Sequence, residues 1–499
     1  MNPVTLDSLP LLARQLAETS LDWMQAYGKE GDLLLCPDHH GHYGVLDVSK
    51  HNVHMVRESA WWVAGLLLRN QGDDVARAHR ILDAVLRWQF NEPGMPYHGT
   101  FHRAPEEKLP TGLNAEMWGH YDPNWRQFIG TTWLILLELL ADRLTPEMRA
   151  RLEASIRLAV EGEPPDRIHA GYTNIAMMQA VLLVYAGRRF ARPEWKERGV
   201  LLARKIHALF AEHGTFSEYN SPTYYGVTLQ GLRLWRLFSQ DAEVEAWGAE
   251  METALWQQTS RYYHPGLRNI CGPFDRAYGM DMPRYVAMIG IWIRLAVEPG
   301  VAPCPSLTTE FDHAHDFCAA PLVALLGVEI PAEALRHFQE FHEDRSIHQI
   351  IESQPAPRIA TAFLQADRMW GAESGHGGSG GQFHAVTAHW RQPNGTTGWL
   401  RLLNPDGTTV DAVADAKGIR VTARSGASPR SLTWQFFSSP AAGLHLIGNE
   451  WHLPGMRIRA TTSLPAPALQ QGENGHNAIV YTLPAGHETS FTLEFLPGE

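Results

Sequence analysis

Cysteine is scarce in this 499-residue chain: Cys36, Cys271, Cys304 and Cys318 stand far apart and form no C-x-x-C pair. That spacing excludes a zinc knuckle and a disulfide framework, and the expectation is reduced, buried thiols. No run approaches the ~20 apolar residues of a spanning helix, so no membrane partner is expected. Positive charge is also short, with 42 Lys and Arg against 54 Asp and Glu for a net charge of -12. Neutralising phosphates needs a clustered basic excess, which excludes nucleic acid as the partner. Met1–Trp23 interrupts its apolar pattern with Asp7, Arg14, Glu18 and Asp22, so it lacks the core of a secretory signal. The expected compartment is the cytoplasm, or an exported one if a leader has been trimmed.

The composition that remains, 44% apolar, is that of a well-cored globular chain of two domains. Seventeen Trp, 14 Tyr and 25 His are a surplus. Without haem or metal motifs, such residues serve either a large helical core or the flat faces and hydroxyls of sugars. No motif calls for a cofactor.

From Leu6 to about Phe341 apolar residues recur with helical spacing, separated by short breaks rich in Gly, Pro, His and Asp. The pattern predicts twelve to fourteen helices, among them Val53 to Leu68, Trp125 to Leu140, Thr173 to Tyr185, Thr223 to Phe238 and Met282 to Ala296. Near Ser346 short alternating runs take over, such as Phe383 to Trp390, Gly398 to Leu403 and Leu432 to Phe437. Paired helices over some 300 residues bury both sides of each pair if they close into a ring, and no fixed repeat favours an open solenoid. The expected fold is α+β and multidomain. An (α/α) toroid of six to seven helical hairpins spans residues 1–345, and an antiparallel β-sandwich spans 346–499. A Gly-rich connecting loop near 371–381 reads as a flexible link between domains, or as a flap lending Glu373 or His376 to a cleft.

Five polar, aromatic segments fall at helix starts or loops. The first, around His39, His40, His42, His51, His54, Arg57 and Glu58, lacks a metal-binding pattern such as H-E-x-x-H. A substrate-facing loop containing His40 and Arg57 is the expectation, with Arg57–Glu58 readable as a structural ion pair. In the second, Asp122 is placed to cap a helix with Pro123 following, which puts Asn124 and Trp125 in the first turn. The third presents Tyr172, Thr173 and Asn174. The densest is Ser217 to Gly226, which holds Glu218, Tyr219, Asn220, Tyr224 and Tyr225. The fifth, Gly272 to Asp281, displays Asp275, Arg276, Tyr278 and Asp281.

A tyrosine, an arginine, an acid and an amide suit removal of the C5 proton of a uronic acid with expulsion of the C4 oxygen. That β-elimination needs a base, an acid for the leaving oxygen and neutralisation of the carboxylate. Beside Arg276 a phenol is expected to have its pKa lowered from about 10. Glycoside hydrolysis by Glu218 with Asp122, Asp275 or Asp281 competes with this reading, as does a glycan-binding protein without chemistry.

The segments SEYNSPTYYG at 217 to 226, DPNWRQFIG at 122 to 130, YTN at 172 to 174 and DRAYGMDM at 275 to 282 resemble polysaccharide lyase family 38. The resemblance implies a toroid followed by a β-sandwich, acting without metal on uronic-acid polymers such as alginate or glucuronan. It further implies Tyr278 as base and acid, and Glu218, protonated when engaged, as a neutraliser of the substrate carboxylate. Arg276 and Asn174 join them on chemical grounds, and Tyr225 is the rival base. Asn124, Trp125, Tyr172, Tyr219, Asn220, Tyr224, Asp281, His40 and Arg57 are expected to bind an acidic poly- or oligosaccharide. For a cytoplasmic enzyme, imported oligosaccharides are the expected form of that substrate.

Overall fold

The computed structural model describes residues 4–28, 31–35, 53–306, 311–376, 381–403, 407–438, 445–472 and 475–497. A helical, toroid-like region is followed by antiparallel sheets. Helices Val56–Arg69, Trp125–Leu139, Thr173–Arg189 and Tyr225–Phe238 pack in that order side by side, each paired with an outer helix: Asp74–Leu86, Pro146–Glu161, Pro193–Ala211 and Ala242–Tyr262. The short helices Met288–Arg294 and Ala320–Leu326 close the ring, the latter touching both Tyr225–Phe238 and Val56–Arg69. Leu11–Tyr27 packs on Ala320–Leu326 and Ala332–Gln339 on Ala242–Tyr262, which makes twelve α-helices among the described residues, within the twelve to fourteen expected.

Sequence distinguishes the two rings of helices. Thr173–Arg189 is buried around its whole circumference from Thr173 to Gly187, as an inner helix flanked on every side must be. Pro193–Ala211 buries a single stripe, Trp195, Gly199, Ala203, Ile206 and Phe210, and leaves its other face to solvent.

Met282 to Ala296 was expected to be one helix, but only Met288–Arg294 is helical. Upstream, the backbone is engaged elsewhere: Met282 N–H donates to Asn269 Oδ1 at 2.8 Å and Val286 N–H to the Asp312 carbonyl at 2.9 Å. Among the described residues no helix is long and apolar enough to cross a membrane.

One sheet has eight strands, running from Ala468–Gln471 at one edge through His476–Leu483, Arg430–Phe437, Thr397–Leu403, Val386–Arg391, Arg368–Ser374 and Arg358–Gln365 to Arg345–Glu352. The other has six: Thr408–Asp415, Gly418–Ser425, Glu488–Pro497, Met456–Thr462, Glu450–Leu453 and His445–Ile447. Their inner faces share a core in which Trp370 stacks on Phe495 at 4.7 Å. The outer face of the larger sheet joins the helical core through Ile347, Ala362, Leu364 and Met369.

Gly371 to Ser374 belong to a strand of the larger sheet, so the Gly-rich stretch joins two neighbouring strands rather than two domains. The glycine at 371 answers to close packing. A Cβ there would lie 1.7 Å from the carbonyl oxygen of Gly272, because the loop that begins at Gly272 rests directly on this strand.

Candidate active site

The first turns of five inner helices converge on one cavity of 630 Å³, contributing Arg57, Trp125, Asn174, the Tyr224 that precedes Tyr225–Phe238, and Met288. Such a size suits a small ligand or a few sugar residues. Its walls are aromatic, with Trp61, Trp125, Tyr172, Tyr224 and Tyr278 around the polar groups. A shallower depression of 430 Å³, bordered by Glu218, Asp275 and His376, adjoins it across Arg276 and Gln382.

Two loops build the reactive wall, and the chain ties them together. Asn220 Nδ2 donates to the carbonyls of Cys271 and Pro273 at 2.7 and 2.8 Å, and Ser221 Oγ donates to the Arg276 carbonyl at 2.6 Å. Asn220 takes a positive φ of 43°, a conformation asparagine tolerates better than most residues. The sheet supports this wall from behind. Arg358 Nη2 reaches both oxygens of Asp275 at 2.8 and 2.9 Å and Glu373 Oε1 at 2.9 Å. His384 and Phe274 exchange backbone hydrogen bonds.

Arg276 stands at the centre. Its Nη1 donates to Glu218 Oε1 at 3.1 Å, its Nη2 to Tyr224 Oη at 2.9 Å and its Nε to Gln382 Oε1 at 3.0 Å, while its guanidinium lies 4.0 Å from the Tyr224 ring centre. Burial alone would lower the guanidinium, but Tyr224, Glu218 and Tyr278 outweigh it and hold its pKa above the ordinary value. Tyr224 Oη and Tyr278 Oη are 2.5 Å apart, and the Tyr278 ring stacks on His313 at 4.5 Å.

Burial pushes the Tyr278 phenol up, partly offset by its hydrogen bond with Tyr224 and by Arg276. The lowered pKa expected beside Arg276 is therefore corrected: the cation moderates a larger effect of desolvation. Burial and the neighbouring Tyr278 push Tyr224 still further up.

Glu218 Oε2 accepts from Asn174 N–H at 2.9 Å and from Asn174 Nδ2 at 2.6 Å, which places the carboxyl on the N-terminus of Thr173–Arg189. All of its partners, Arg276 included, are donors. Asn174 Nδ2 is held by Glu218 at the cavity wall, and its Oδ1 accepts no hydrogen bond among the described residues.

Asn124 lines the cavity, donating to Tyr172 Oη at 2.8 Å, and Trp125 and Arg57 line it too. Arg57 pairs with Glu58 at 2.6 Å as expected, and both residues face the cavity. Asp122 accepts from Asn124 N–H at 2.8 Å, one residue outside the helix it was expected to cap, and burial pushes its carboxyl up.

Four expectations are not met. Tyr225 is buried behind the wall, where its oxygen accepts from Asn220 N–H at 2.6 Å and Gln258 Nε2 at 2.7 Å. Tyr219 is fully buried with its hydroxyl on Tyr262 at 2.7 Å. The Asn220 side chain braces the loops, and Asp281, buried, accepts from Asn269 at 3.1 Å. His40 and its neighbouring histidines lie outside the described residues.

Gln382, His315 and Asp316 line the cavity and went unread. The H-x-H-D run at 313–316 carried a legible polar signal, whereas Gln382 sits isolated beside glycines. Among the described residues two groups bring metal-ligating atoms within 4.8 Å of one another, His313 with His315 and Asp316, and Asp275 with Glu373 and His376. In the second, the Arg358 guanidinium already fills the space between the carboxylates.

A family model described as Domain of unknown function (DUF8769) matches residues 14–328. The chain belongs to this family. The match spans most of the helical region and both loops of the reactive wall. No curated protein matches the sequence. Among solved structures the chain is similar in fold to heparinase III, with 10% identity over 100% of this chain and 87% of that one at a TM-score of 0.47. The chondroitin AC lyase of Streptomyces coelicolor A3 matches at 12% identity, 99% and 80% coverage and a TM-score of 0.49. The heparan sulfate lyase HepC of Pedobacter heparinus matches at 12%, 98% and 83%, with a TM-score of 0.34.

Proposed function

We propose that this protein is a lyase that cleaves uronic-acid-containing poly- or oligosaccharides by β-elimination. The observation that carries the reading is Arg276, held between Glu218 and the Tyr224–Tyr278 pair on the wall of an aromatic cavity. Of the five N–H groups of a guanidinium, three are engaged with Gln382, Glu218 and Tyr224, which leaves two among the described residues for a substrate carboxylate.

In this reading the Tyr278 phenolate takes the C5 proton, and the C5–H electron pair becomes the C4–C5 double bond. The C4–O bond breaks, and its oxygen leaves with the proton that Tyr278 returns. Tyr224 donates to the Tyr278 phenolate and accepts from Arg276, so the charge of the arginine reaches the base through one hydroxyl. Arg276 also stabilises the negative charge that builds on the substrate carboxylate as C5 loses its proton. Within lyases of this chemistry, the segments around Tyr172, Glu218 and Tyr278 support family 38, with alginate and glucuronan as the substrates that assignment implies.

Incubation with a panel of polyuronides and mixed glycans, followed by ultraviolet absorbance of the unsaturated product, tests the reading. New reducing ends without that absorbance would establish hydrolysis instead. Binding without any cleavage would make the protein a glycan receptor.

A further inference from the structure

The long connection between Asp74–Leu86 and Trp125–Leu139 carries four exposed apolar side chains, Leu109, Leu113, Met117 and Trp118, and of these Trp118 alone lines the cavity. A tryptophan left 49% exposed forgoes much of the hydrophobic gain its ring can make. Among the described residues this ring stacks on no aromatic partner, receives no arginine on its face and donates no indole hydrogen bond.

Its backbone is held where a tryptophan seldom goes. Trp118 has a φ of 59°, a left-handed conformation that is an outlier for a bulky residue. The loop enforces it: Trp118 N–H donates to the Tyr121 carbonyl at 2.7 Å, and the buried Arg103 donates from Nη1 to the Trp118 carbonyl at 3.1 Å and from Nη2 to the Gly119 carbonyl at 2.9 Å. Glu107 pairs with the same guanidinium, and Tyr121 packs on Tyr97. Strain of this kind persists only where the surroundings over-determine it, and it clusters at ligand sites.

The other two tryptophans of the cavity are placed differently. Trp61 and Trp125 are buried, and the Arg57 guanidinium lies 4.5 and 5.5 Å from their ring centres. Trp118 instead keeps its ring half exposed at the rim. Such a surface suits the C–H face of a pyranose, which stacks on an indole whether the sugar bears a carboxylate or only hydroxyls. Tyr278 meets the rings of Tyr224 and His313, and Trp118 is in ring contact with neither. A chain whose reacting uronate lies at Tyr278 therefore brings a different unit to Trp118.

We propose that Trp118 is a stacking platform for a sugar unit of the substrate other than the uronate that reacts at Tyr278. The proposal rests on the elimination reading for which sugar reacts, and it adds selection by chain length: glycans long enough to reach Trp118 bind tighter than those that end short of it.

The test uses dimers and hexamers of alginate and of glucuronan. Calorimetry in the Tyr278→Phe background measures binding, and ultraviolet absorbance with Tyr278 intact measures turnover. Trp118→Ala and Trp118→Gly should each weaken hexamer binding and raise its KM on the order of tenfold, with a smaller loss for the dimer and a smaller change in kcat. Trp118→Phe should restore most of the hexamer affinity. Glycine accepts the φ of 59° without strain, so Trp118→Gly should keep its Tm while its affinity falls. Unchanged hexamer affinity in the alanine and glycine variants overturns the proposal, and unsaturated product from those variants leaves elimination standing. Equal losses for dimer and hexamer, or a Tm that falls together with affinity in Trp118→Gly, give Trp118 a structural role and overturn the proposal as well. A length-dependent loss of binding with no unsaturated product from any form keeps the platform and overturns elimination. No binding of either length by the protein with Trp118 intact overturns both.

Discussion

Tyr224 and Tyr278 share a hydrogen bond of 2.5 Å, but only Tyr224 also accepts from Arg276. That asymmetry divides their roles. Tyr278→Phe should abolish turnover while leaving binding largely intact in calorimetry. Since desolvation dominates the Tyr278 phenol, kcat/KM should climb with pH and reach no plateau below about 10. Tyr224→Phe removes a group that lowers the Tyr278 pKa, so its pH–rate limb should move to higher pH, with kcat reduced on the order of 10²-fold. An unmoved limb in that variant would show that Tyr224 only fills space. Tyr225→Phe should keep its pH profile and lose about 1–3 kcal/mol of stability, because it strands the buried donors Asn220 N–H and Gln258.

Asp281 offers a second check at this scale, separating binding from structure. Burial raises its carboxyl to about 6. The folded chain then holds this proton to higher pH than the unfolded chain, where the group titrates near 4. Its contribution is therefore favourable below about 4 and turns unfavourable as pH rises through about 6. Asp281→Asn should raise the Tm at pH 7 and above, by about 1–2 kcal/mol in stability, with the gain vanishing below about pH 4. Turnover should persist; its loss would return Asp281 to the binding site.

Between elements, the decisive contact is the one from the sheet to the 272–282 loop. Arg358 leaves its strand to hold Asp275, the residue before Arg276, together with the buried Glu373. Burial and the adjacent Asp275 push Glu373 well up, and Arg358 counters this. Arg358→Ala leaves two buried carboxyls without their cation and should cost about 3–5 kcal/mol by denaturant unfolding, with kcat falling as Arg276 loses its backing. A variant with normal kcat would show that the loop is held by its other ties. The strands that carry this contact were also the hardest to read. Arg358–Gln365 and Arg368–Ser374 are covered on one face by the helices and on the other by the second sheet, so they lack the alternation that marked Leu432 to Phe437. The helices were legible because their stripes, or their wholly apolar surfaces, repeat over many turns.

Over the whole molecule, a net charge of -12 opposes an anionic glycan at long range. Added salt should therefore raise kcat/KM as ionic strength goes from about 0.01 to about 0.1 M, where the screening length falls from about 30 to about 10 Å. A fall over that range, as expected of a basic groove, would contradict this account. Sequence by itself determined the order of helical and sheet regions and the loops that hold Glu218, Arg276 and Tyr278, because periodicity and clustered polar residues are local properties of the chain. Tertiary structure alone decided which side chains face the cavity. Neighbouring residues entering a helix point about 100° apart, so Tyr224 meets Tyr278 while Tyr225 turns into the core, and only the place where the helix starts settles which. Contacts such as Arg358 with Asp275 and Gln382 with Arg276 join residues about a hundred positions apart, and nothing local in the sequence encodes them.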